Sequence, residues 1–370
     1  MAKFSEILTI VNGKNQSKVE NPNGRYPIYG SGGVMGYADD YLCEAETVVI
    51  GRKGSINKPI YVEEPFWNVD TAFGLVANRD LLLPKYLFYF CVHFDFDQLN
   101  TTVTIPSLTK ANLLNIEMML PSLGVQQEMV NRLSKVDELI ALRKEQLAKL
   151  DQLVKSRFIE LFGDPEANPN RWSISKLSEF CDLQNGYAFK SDDYLTNSTV
   201  LNCRMSNIRP DGGFDADYHP KYLPDMFWEK YKDYRLVDGD VIIAMTDMAS
   251  DPKILGVPTI VRTNGKKFLL NQRVGKLTFF DNTAINNVYL MFVLSQKHIR
   301  QQLVKSAGGS TQINVGKPAV LGVEFFVPPM KLQEQFAAFV EQTDKSKWAI
   351  QQSLDKLELL KKSLMQEQFG

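Results

Sequence analysis

Cysteine and histidine are scarce, with four and three copies in 370 residues. Cys43, Cys91, Cys181 and Cys203 stand far apart with no CxxC pair. That excludes a dense disulfide framework and a thiolate zinc site, and it fits a reducing, cytoplasmic setting. No apolar run approaches the ~18 residues needed to cross a bilayer, so no membrane partner is expected. The opening MAKFSEILTI lacks the basic, apolar and cleavable regions of a signal peptide. Charge of one sign is also missing: 42 Lys+Arg against 43 Asp+Glu leave a net charge of −1. A chain so balanced has little long-range field with which to attract a polyanion. The sequence contains no GxxxxGK[ST], HExxH or GxSxG motif. It has no Asp/Asn-Pro-Pro-Tyr/Phe segment and no nuclease-like carboxylate–lysine cluster. No catalytic residue, metal or cofactor is therefore expected. The glycine-rich GSGGVMG (Gly30–Gly36) has neither GxGxxG spacing nor a helix-like run after it, and reads as a turn. His93 and His298 lie in apolar segments and read as core or boundary residues rather than ligands.

What the sequence does contain is itself, twice. Shifted by 207 residues, 121–163 falls on 328–370, with Pro121 on Pro328, Gln126 on Gln333, Asp137 on Asp344, Leu147 on Leu354 and Gly163 on Gly370. The register reaches back to Lys110 on Lys317 and Glu117 on Glu324. A second match, at a shift of 173, places FSEILTIVNGK (Phe4–Lys14) on LSEFCDLQNGY (Leu177–Tyr187). Two collinear matches around dissimilar middles indicate duplication. The expected order is a first head at 1–120, a helix at 121–163, a second head at 164–327 and a second helix at 328–370.

Each helical segment follows a proline, and Gln126–Phe162 contains no Gly or Pro. Apolar residues recur every seven positions at Leu133, Ile140, Leu147, Val154 and Leu161, with Val136 and Leu150 beside them. The second copy has Ile350, Leu357 and Leu364, with Val340 and Leu354. This is heptad patterning, interrupted at Arg143, Arg157, Lys347 and Lys361. Two surface helices packed on their own heads would be the plainer arrangement. Each run, however, is about 36 residues or ~54 Å long, longer than one head can cover. Pairing is expected instead, and it must be antiparallel, because one helix leads from head to head and the other returns. The expected class is α+β: two mixed heads joined by two long antiparallel coiled-coil helices with pseudo-two-fold symmetry.

Within the heads, ETVVIG, KPIYV, GDVIIAM, VPTIV and VGKLTFF read as strands. LLPKYLFYFCVHFDFDQL and INNVYLMFVLSQKHIRQQL read as one core-packed helix per head. The remaining polar groups concentrate in loops. GRKGSINKP sets Arg52, Lys53, Ser55, Asn57 and Lys58 on a turn between two strands. NTTVTIPSLTK, with Thr101, Thr104 and Lys110, and GGSTQINVGK, with Thr311, Gln312 and Lys317, hold equivalent places before the exit of each head. QNGYAFKSDDY adds Tyr187 and Lys190, and YPIYGSGGVMGY adds Tyr29 and Ser31. Arg204, Asn207, Asn271, Gln272 and Arg273 are further candidates of the same types. Arg, Asn, Gln and Lys read base edges, and Ser, Thr and Lys suit phosphates.

Taken together, the tandem plan, the spacer LPSLGVQQEMVNRL…ALRKEQLAKLDQLVKSRFIELFG with its C-terminal echo, and WSISKLSEFCDLQNGYAFKSDDY resemble the specificity subunits of Type I restriction-modification systems. YPIYGSGGVMGY and WNVDTAFGLV are similar to one type of first head in that family. The resemblance covers essentially the whole length. It implies two target recognition domains on an antiparallel coiled coil, no catalysis, and double-stranded DNA as ligand. It further implies two methyltransferase (modification) subunits and restriction subunits as partners, and a bipartite target with an unread spacer. The competing reading is a coiled-coil adaptor presenting two protein-binding heads. Loops rich in Arg, Asn, Gln and Thr favour nucleic acid over a protein partner, whose anchors would be exposed Trp and Tyr.

Overall fold

The computed structural model of the chain describes residues 1–99, 107–280 and 285–370. It divides into two compact units, Met1–Ala148 with Trp348–Gly370, and Lys149–Lys347.

In the first unit the order is β1 (Ala2–Lys3), α1 (Phe4–Ile7), β2 (Leu8–Asn12), β3 (Tyr26–Gly30), β4 (Gly33–Ala38), β5 (Thr47–Gly51), β6 (Ile60–Val62), β7 (Trp67–Asn68), β8 (Ala72–Ala77), α2 (Pro84–His93), α3 (Lys110–Leu114), β9 (Glu117–Met118) and the long α4 (Leu123–Phe162). The core sheet has the order β2-β8-β5-β6 and is antiparallel throughout. Beside it lies β4-β3-β7, with β3 and β7 parallel. Pro84 opens α2, as its fixed φ and missing N–H favour at a first helical turn, and the helix buries Tyr86, Leu87, Tyr89, Phe90 and Cys91.

The second unit runs β10 (Ile174–Lys176), β11 (Cys181–Asn185), β12 (Val200–Cys203), β13 (Tyr222–Leu223), α5 (Phe227–Lys230), β14 (Arg235–Leu236), β15 (Val241–Ala244), β16 (Thr246–Met248), β17 (Pro258–Ile260), β18 (Lys267–Leu270), β19 (Val274–Phe279), α6 (Asn287–Leu294), α7 (Lys297–Ser306), β20 (Gln312–Asn314), α8 (Lys317–Leu321), β21 (Glu324–Phe326) and α9 (Met330–Phe369). Its core sheet, β11-β19-β15-β17, repeats the first in order and direction. The parallel pair of the second sheet, β12 with β18, repeats β3 with β7. The short pairs β1-β9 and β10-β21 close the two heads in the same way. The expected α+β class, with duplicated heads and two long helices, is what the chain adopts.

The expected single core helix of the second head is two. α6 ends at Leu294 and α7 begins at Lys297. Ser295 Oγ donates to Met291 O (2.8 Å) and Gln296 Nε2 to Phe292 O (3.0 Å). Gln296 thus satisfies with its side chain a carbonyl that its N–H would have bonded in a continuing helix, and no Gly or Pro in the sequence marks the break.

The residues shared by the two copies hold the repeat together. Gln126 and Gln333 are fully buried. Gln126 Nε2 donates to Pro121 O and Leu81 O (both 2.8 Å), and its Oε1 accepts the N–H of Leu83 (2.8 Å), the residue capping α2. Gln333 donates to Pro328 O (2.7 Å) and accepts the N–H of Asn286 (2.8 Å), which caps α6. Each glutamine thus fastens the start of a long helix to the start of its head's core helix. A buried carboxamide so placed meets the demand that buried polar groups be bonded. The repeated Asn-Gly has a steric cause. A Cβ at Gly13 would overlap Val69 O, and one at Gly186 would overlap Asn271 O.

Both units also contain part of the antiparallel pairing. In the first, Asp137 pairs with Lys361 (2.6 Å), Arg143 Nε donates to Ser353 Oγ (3.1 Å) and Lys144 pairs with Glu358 (3.1 Å). In the second, Asp151 pairs with Lys347 (2.5 Å), and the Arg157 guanidinium lies 5.9 Å from the Phe339 ring centroid. The four basic interruptions of the heptads are therefore contacts between the helices. The ends of the helices enter the heads: Phe162 packs on Tyr289 (5.1 Å) and Phe369 on Tyr86 (5.1 Å). Their tyrosine partners match as well. Tyr289 donates to Phe326 O (2.6 Å) and Tyr86 to Met119 O (3.2 Å).

All four cysteines are free and buried. Burial pushes the thiols of Cys43 and Cys181 up to about 12, so they behave as apolar core groups. His93 and His298 are half-buried boundary residues. Among the described residues no helix is long and apolar enough to cross a membrane, and no cluster of His, Cys, Asp and Glu is placed to hold a metal.

Candidate nucleic-acid interface

In the first head the candidate residues gather at one end of the core sheet. β5 delivers the chain into 52–59, and β6 takes it away. The Arg52 N–H donates to Thr71 O (2.8 Å), and Arg52 O accepts from Leu108 N–H (2.9 Å). Lys53 forms an isolated antiparallel bridge with Ser107. Buried Ile56 roots the loop in the core. Ser31, in the turn between β3 and β4, and Ser55 both lie against Gly51, so the hairpin turn and the loop are neighbours. Arg52, Lys53 and Lys58 are exposed, and among the described residues none has an ion pair. The Arg52 guanidinium sits 5.7 Å from the Phe73 centroid, and Tyr29 packs edge-on to Phe66 at 5.4 Å. Burial first, then the charge of Glu64, raises the Tyr29 hydroxyl above the usual phenol range, so it acts there as a neutral hydrogen-bonding group.

Two polar candidates of this head are used internally. Asn57 Nδ2 donates to Asp95 (3.1 Å) and Asp97 (2.8 Å), and its Oδ1 accepts Phe96 N–H (2.7 Å). It ties the loop to the segment after α2. Lys110 Nζ donates to Ile10 O (2.9 Å). Thr101 and Thr104 lie outside the described residues.

The second head builds the same corner on a larger scale. Met245 N–H donates to Arg273 O (3.0 Å), in the place of the Arg52–Thr71 bond. In the place of the Lys53–Ser107 bridge stands a ladder, with β16 pairing β20 as Thr246 with Asn314 and Met248 with Gln312. Ala249 N–H extends it to Thr311 O (3.0 Å), and Thr246 Oγ1 donates to Asn314 Oδ1 (2.6 Å). Asn185, Thr246, Gln272, Asn314 and Lys317 line a polar cleft of about 340 Å³. Gln272 and Arg273 are exposed at its rim, and Gln312 is half-buried beside it. Lys317 bonds the Asp182 carboxylate (2.6 Å) and holds it below the usual range, as Lys110 bonds the matching strand of the first head.

Other candidates serve the frame. Asn271 is buried, with Oδ1 accepting Arg273 N–H (3.1 Å). Asn207 is buried between Arg204 N–H (2.9 Å) and Asp215 O (2.8 Å). Arg204 Nη2 donates to His219 O (3.1 Å). The Tyr187 ring packs tilted against Tyr231, centroids 4.4 Å apart, and the bond from the Tyr231 hydroxyl raises Tyr187 above the usual phenol range. Lys190 is exposed, and its N–H donates to the Asp193 carboxylate (2.8 Å). Sequence reading misses the 248–253 segment, where Met248, Ser250, Asp251 and Lys253 are exposed. A signal for it exists: GDVIIAM and VPTIV repeat ETVVIG and KPIYV, so the residues between them match the Arg52–Lys58 loop.

A family model described as the Type I restriction modification DNA specificity domain matches residues 1–152 and again 169–359. The chain belongs to this family. The duplicated corner is thus one specificity domain written twice. The chain is similar to the Type I restriction enzyme MjaVIII specificity subunit of Methanocaldococcus jannaschii, with 26% identity over 338 residues, covering 87% of this chain and 75% of the relative. It is 26% identical to the EcoAI specificity subunit of Escherichia coli, over 54% of this chain and 33% of that one. The fold is that of the Type I restriction-modification S subunit from M. genitalium, with TM-score 0.61, 16% identity, and 100% and 95% of the two chains covered. A chain from a structure on complex assembly and conformational transition of the type I R-M system gives TM-score 0.55, with 17% identity and 99% and 96% covered. The assigned role of such a chain is recognition of a DNA target, not catalysis.

Proposed function

We propose that the two heads, 1–120 and 164–327, read separate parts of one bipartite double-stranded DNA target with an unread spacer. The observation that carries this reading is the duplicated corner: one strand frame presenting two different loop chemistries. In the first head Arg52, Lys53, Ser55 and Lys58, with Tyr29 and Ser31, face DNA. In the second head Gln272, Arg273, Thr311, Gln312 and Lys190 do so, with Lys317 at the cleft. Arg, Lys and Gln suit base edges, and the hydroxyls and remaining lysines suit phosphates. Asn57, Asn207 and Asn271 act behind them as supports. The helices 121–163 and 328–370 carry the docking of two methyltransferase subunits, to which restriction subunits are added. Exposed Leu142, Leu359 and Leu360, and Trp348 at 69% exposure, offer apolar contacts for such subunits. The complex works in the cytoplasm.

The test is an exchange of residues 1–120 for the first head of another family member, followed by mapping of genomic methylation in a host lacking other systems. One half of the methylated motif should change while the other stays. If both halves change together, the heads do not read independently.

A further inference from the structure

The connection that follows β15 is a closed ring built around two charged side chains. Asp247 is buried, with 5% exposure. Its carboxylate accepts the N–H groups of Met248 (2.8 Å), Leu255 (2.8 Å) and Ile254. From the other side, Arg300 of α7 donates Nε to Leu255 O (3.1 Å) and Nη2 to Pro252 O (3.4 Å). Burial lowers the Arg300 guanidinium from its ordinary range, and the Asp247 carboxylate raises it again. Gly256 completes the ring at φ +73°, where a Cβ would overlap Leu303 of α7. Both ends of the 248–255 segment are thus fixed by bonds from these two side chains to the backbone. Its outer side exposes Ser250, Asp251 and Lys253, and Ala249 is bonded to Thr311.

A buried carboxylate with a nearby guanidinium is a costly way to close a loop. It loses hydration that only good geometry restores. A short turn such as 52–59 closes the same strand pair in the first head. The charged closure is understandable if the shape itself is needed, because a rigid loop binds without first having to be ordered.

We propose that Asp247 and Arg300 are specificity-positioning residues of the second head: they hold the 248–255 segment in the one shape that reads its part of the DNA target. Neither touches DNA. In the first head the Asn57–Asp95–Asp97 cluster holds the matching loop by neutral-to-anionic bonds. This inference rests on the DNA-reading function proposed above.

The experiment uses the full chain co-expressed with its methyltransferase partner in a methylation-free host, with the methylated motif read genome-wide. Variants are Asp247→Asn, which keeps the shape but loses the charge; Arg300→Gln; and Arg300→Lys, which keeps the charge but loses the fork. Thermal unfolding of each purified chain is recorded alongside. The expected result is a folded Asp247→Asn or Arg300→Gln complex whose first half-motif is unchanged. At one or more positions of the second half-motif, discrimination falls about tenfold. Arg300→Lys should fall between these and wild type. If Asp247→Asn does not fold, the two Arg300 variants decide. An unchanged second half-motif in folded variants overturns the proposal. So does equal loss of both halves, since it marks a purely structural role. A wild-type chain that directs no bipartite methylation would instead overturn the functional reading, and the inference with it.

Discussion

The two heads share a sheet order but not a surface chemistry. The first presents a short basic turn, in which Arg52, Lys53 and Lys58 have no ion pairs among the described residues. The second presents a longer connection in which Lys253 is paired with Asp251 (3.0 Å), and polar amides gather around a cleft. Where the two agree, the agreeing residues are frame: Gln126 with Gln333, Gly13 with Gly186, Tyr86 with Tyr289. Where they differ most, in the 52–59 loop against 245–257, the difference lies in what each head exposes. The bonds that fasten a head to its helix recur in both copies, while the loop each head presents does not.

That comparison can be broken at the helix ends. Phe162 is fully buried, whereas Phe369 is partly exposed. Phe162→Ala should cost about 3–5 kcal/mol, and Phe369→Ala about 2 kcal/mol, as measured by denaturant unfolding. Equal costs would show that the two helix ends are equally anchored and that the exposure difference carries no energy.

The glutamines should behave alike instead. Gln126→Ala and Gln333→Ala each strand a buried N–H and at least one carbonyl, at about 2–3 kcal/mol. Hydrogen exchange should show Gln126→Ala loosening the α2 start and Gln333→Ala the α6 start. Loosening of both by either variant would mean that the heads are not separately fastened.

This pair also shows what the sequence could and could not reveal. Both glutamines stand out at once as identities in the repeat, as do both Asn-Gly pairs, because a residue needed for a buried bond or a close approach tolerates no substitute. The heptads give the helices, and the order of head and helix along the chain gives their direction. The break between α6 and α7 stays hidden because Ser295 and Gln296 end a helix by side-chain bonds, with no Gly or Pro to mark the stop. The candidate side chains divide only in three dimensions. Nothing in the words SIN, MSN or NQR distinguishes the internally bonded amides of Asn57, Asn207 and Asn271 from the exposed Gln272. The 248–253 segment escapes notice because its residues lack the basic character of the loop it matches.

A smaller effect separates the loops. If the first head supplies most phosphate contacts, replacing Arg52, Lys53 and Lys58 by Ala should weaken DNA binding by the assembled complex and flatten its salt dependence. The slope of log K against log salt should fall by up to about 1 for each phosphate-binding side chain removed. Lys253→Ala, already paired with Asp251, should change the slope far less. Binding measured across a salt series decides, and equal changes would erase the proposed division of charge.

The smallest effect is confined to the second head. Burial lowers the His298 imidazole below its ordinary value, against the opposing charges of Glu166 and Asp164. The unfolded chain therefore takes up its proton first as pH falls through about 6.5, so His298 should make the fold lose stability below that pH. His298→Asn should remove part of this loss. An identical stability–pH curve for the variant would show that the imidazole is not burdened by its burial.

The first unit is discontinuous, joining Met1–Ala148 to Trp348–Gly370, while Lys149–Lys347 forms the second. Phe90 and Phe369 share one core, with ring centroids 5.9 Å apart. At ribosomal rates the second of these rings appears on the order of tens of seconds after the first. Through that interval the nascent first head has an open apolar face where Met365 and Phe369 will sit, while the second head can fold undisturbed. The unit begun first is therefore the one finished last, and a nascent chain stalled between residues 348 and 365 would expose a sticky, half-roofed head to chaperones and proteases.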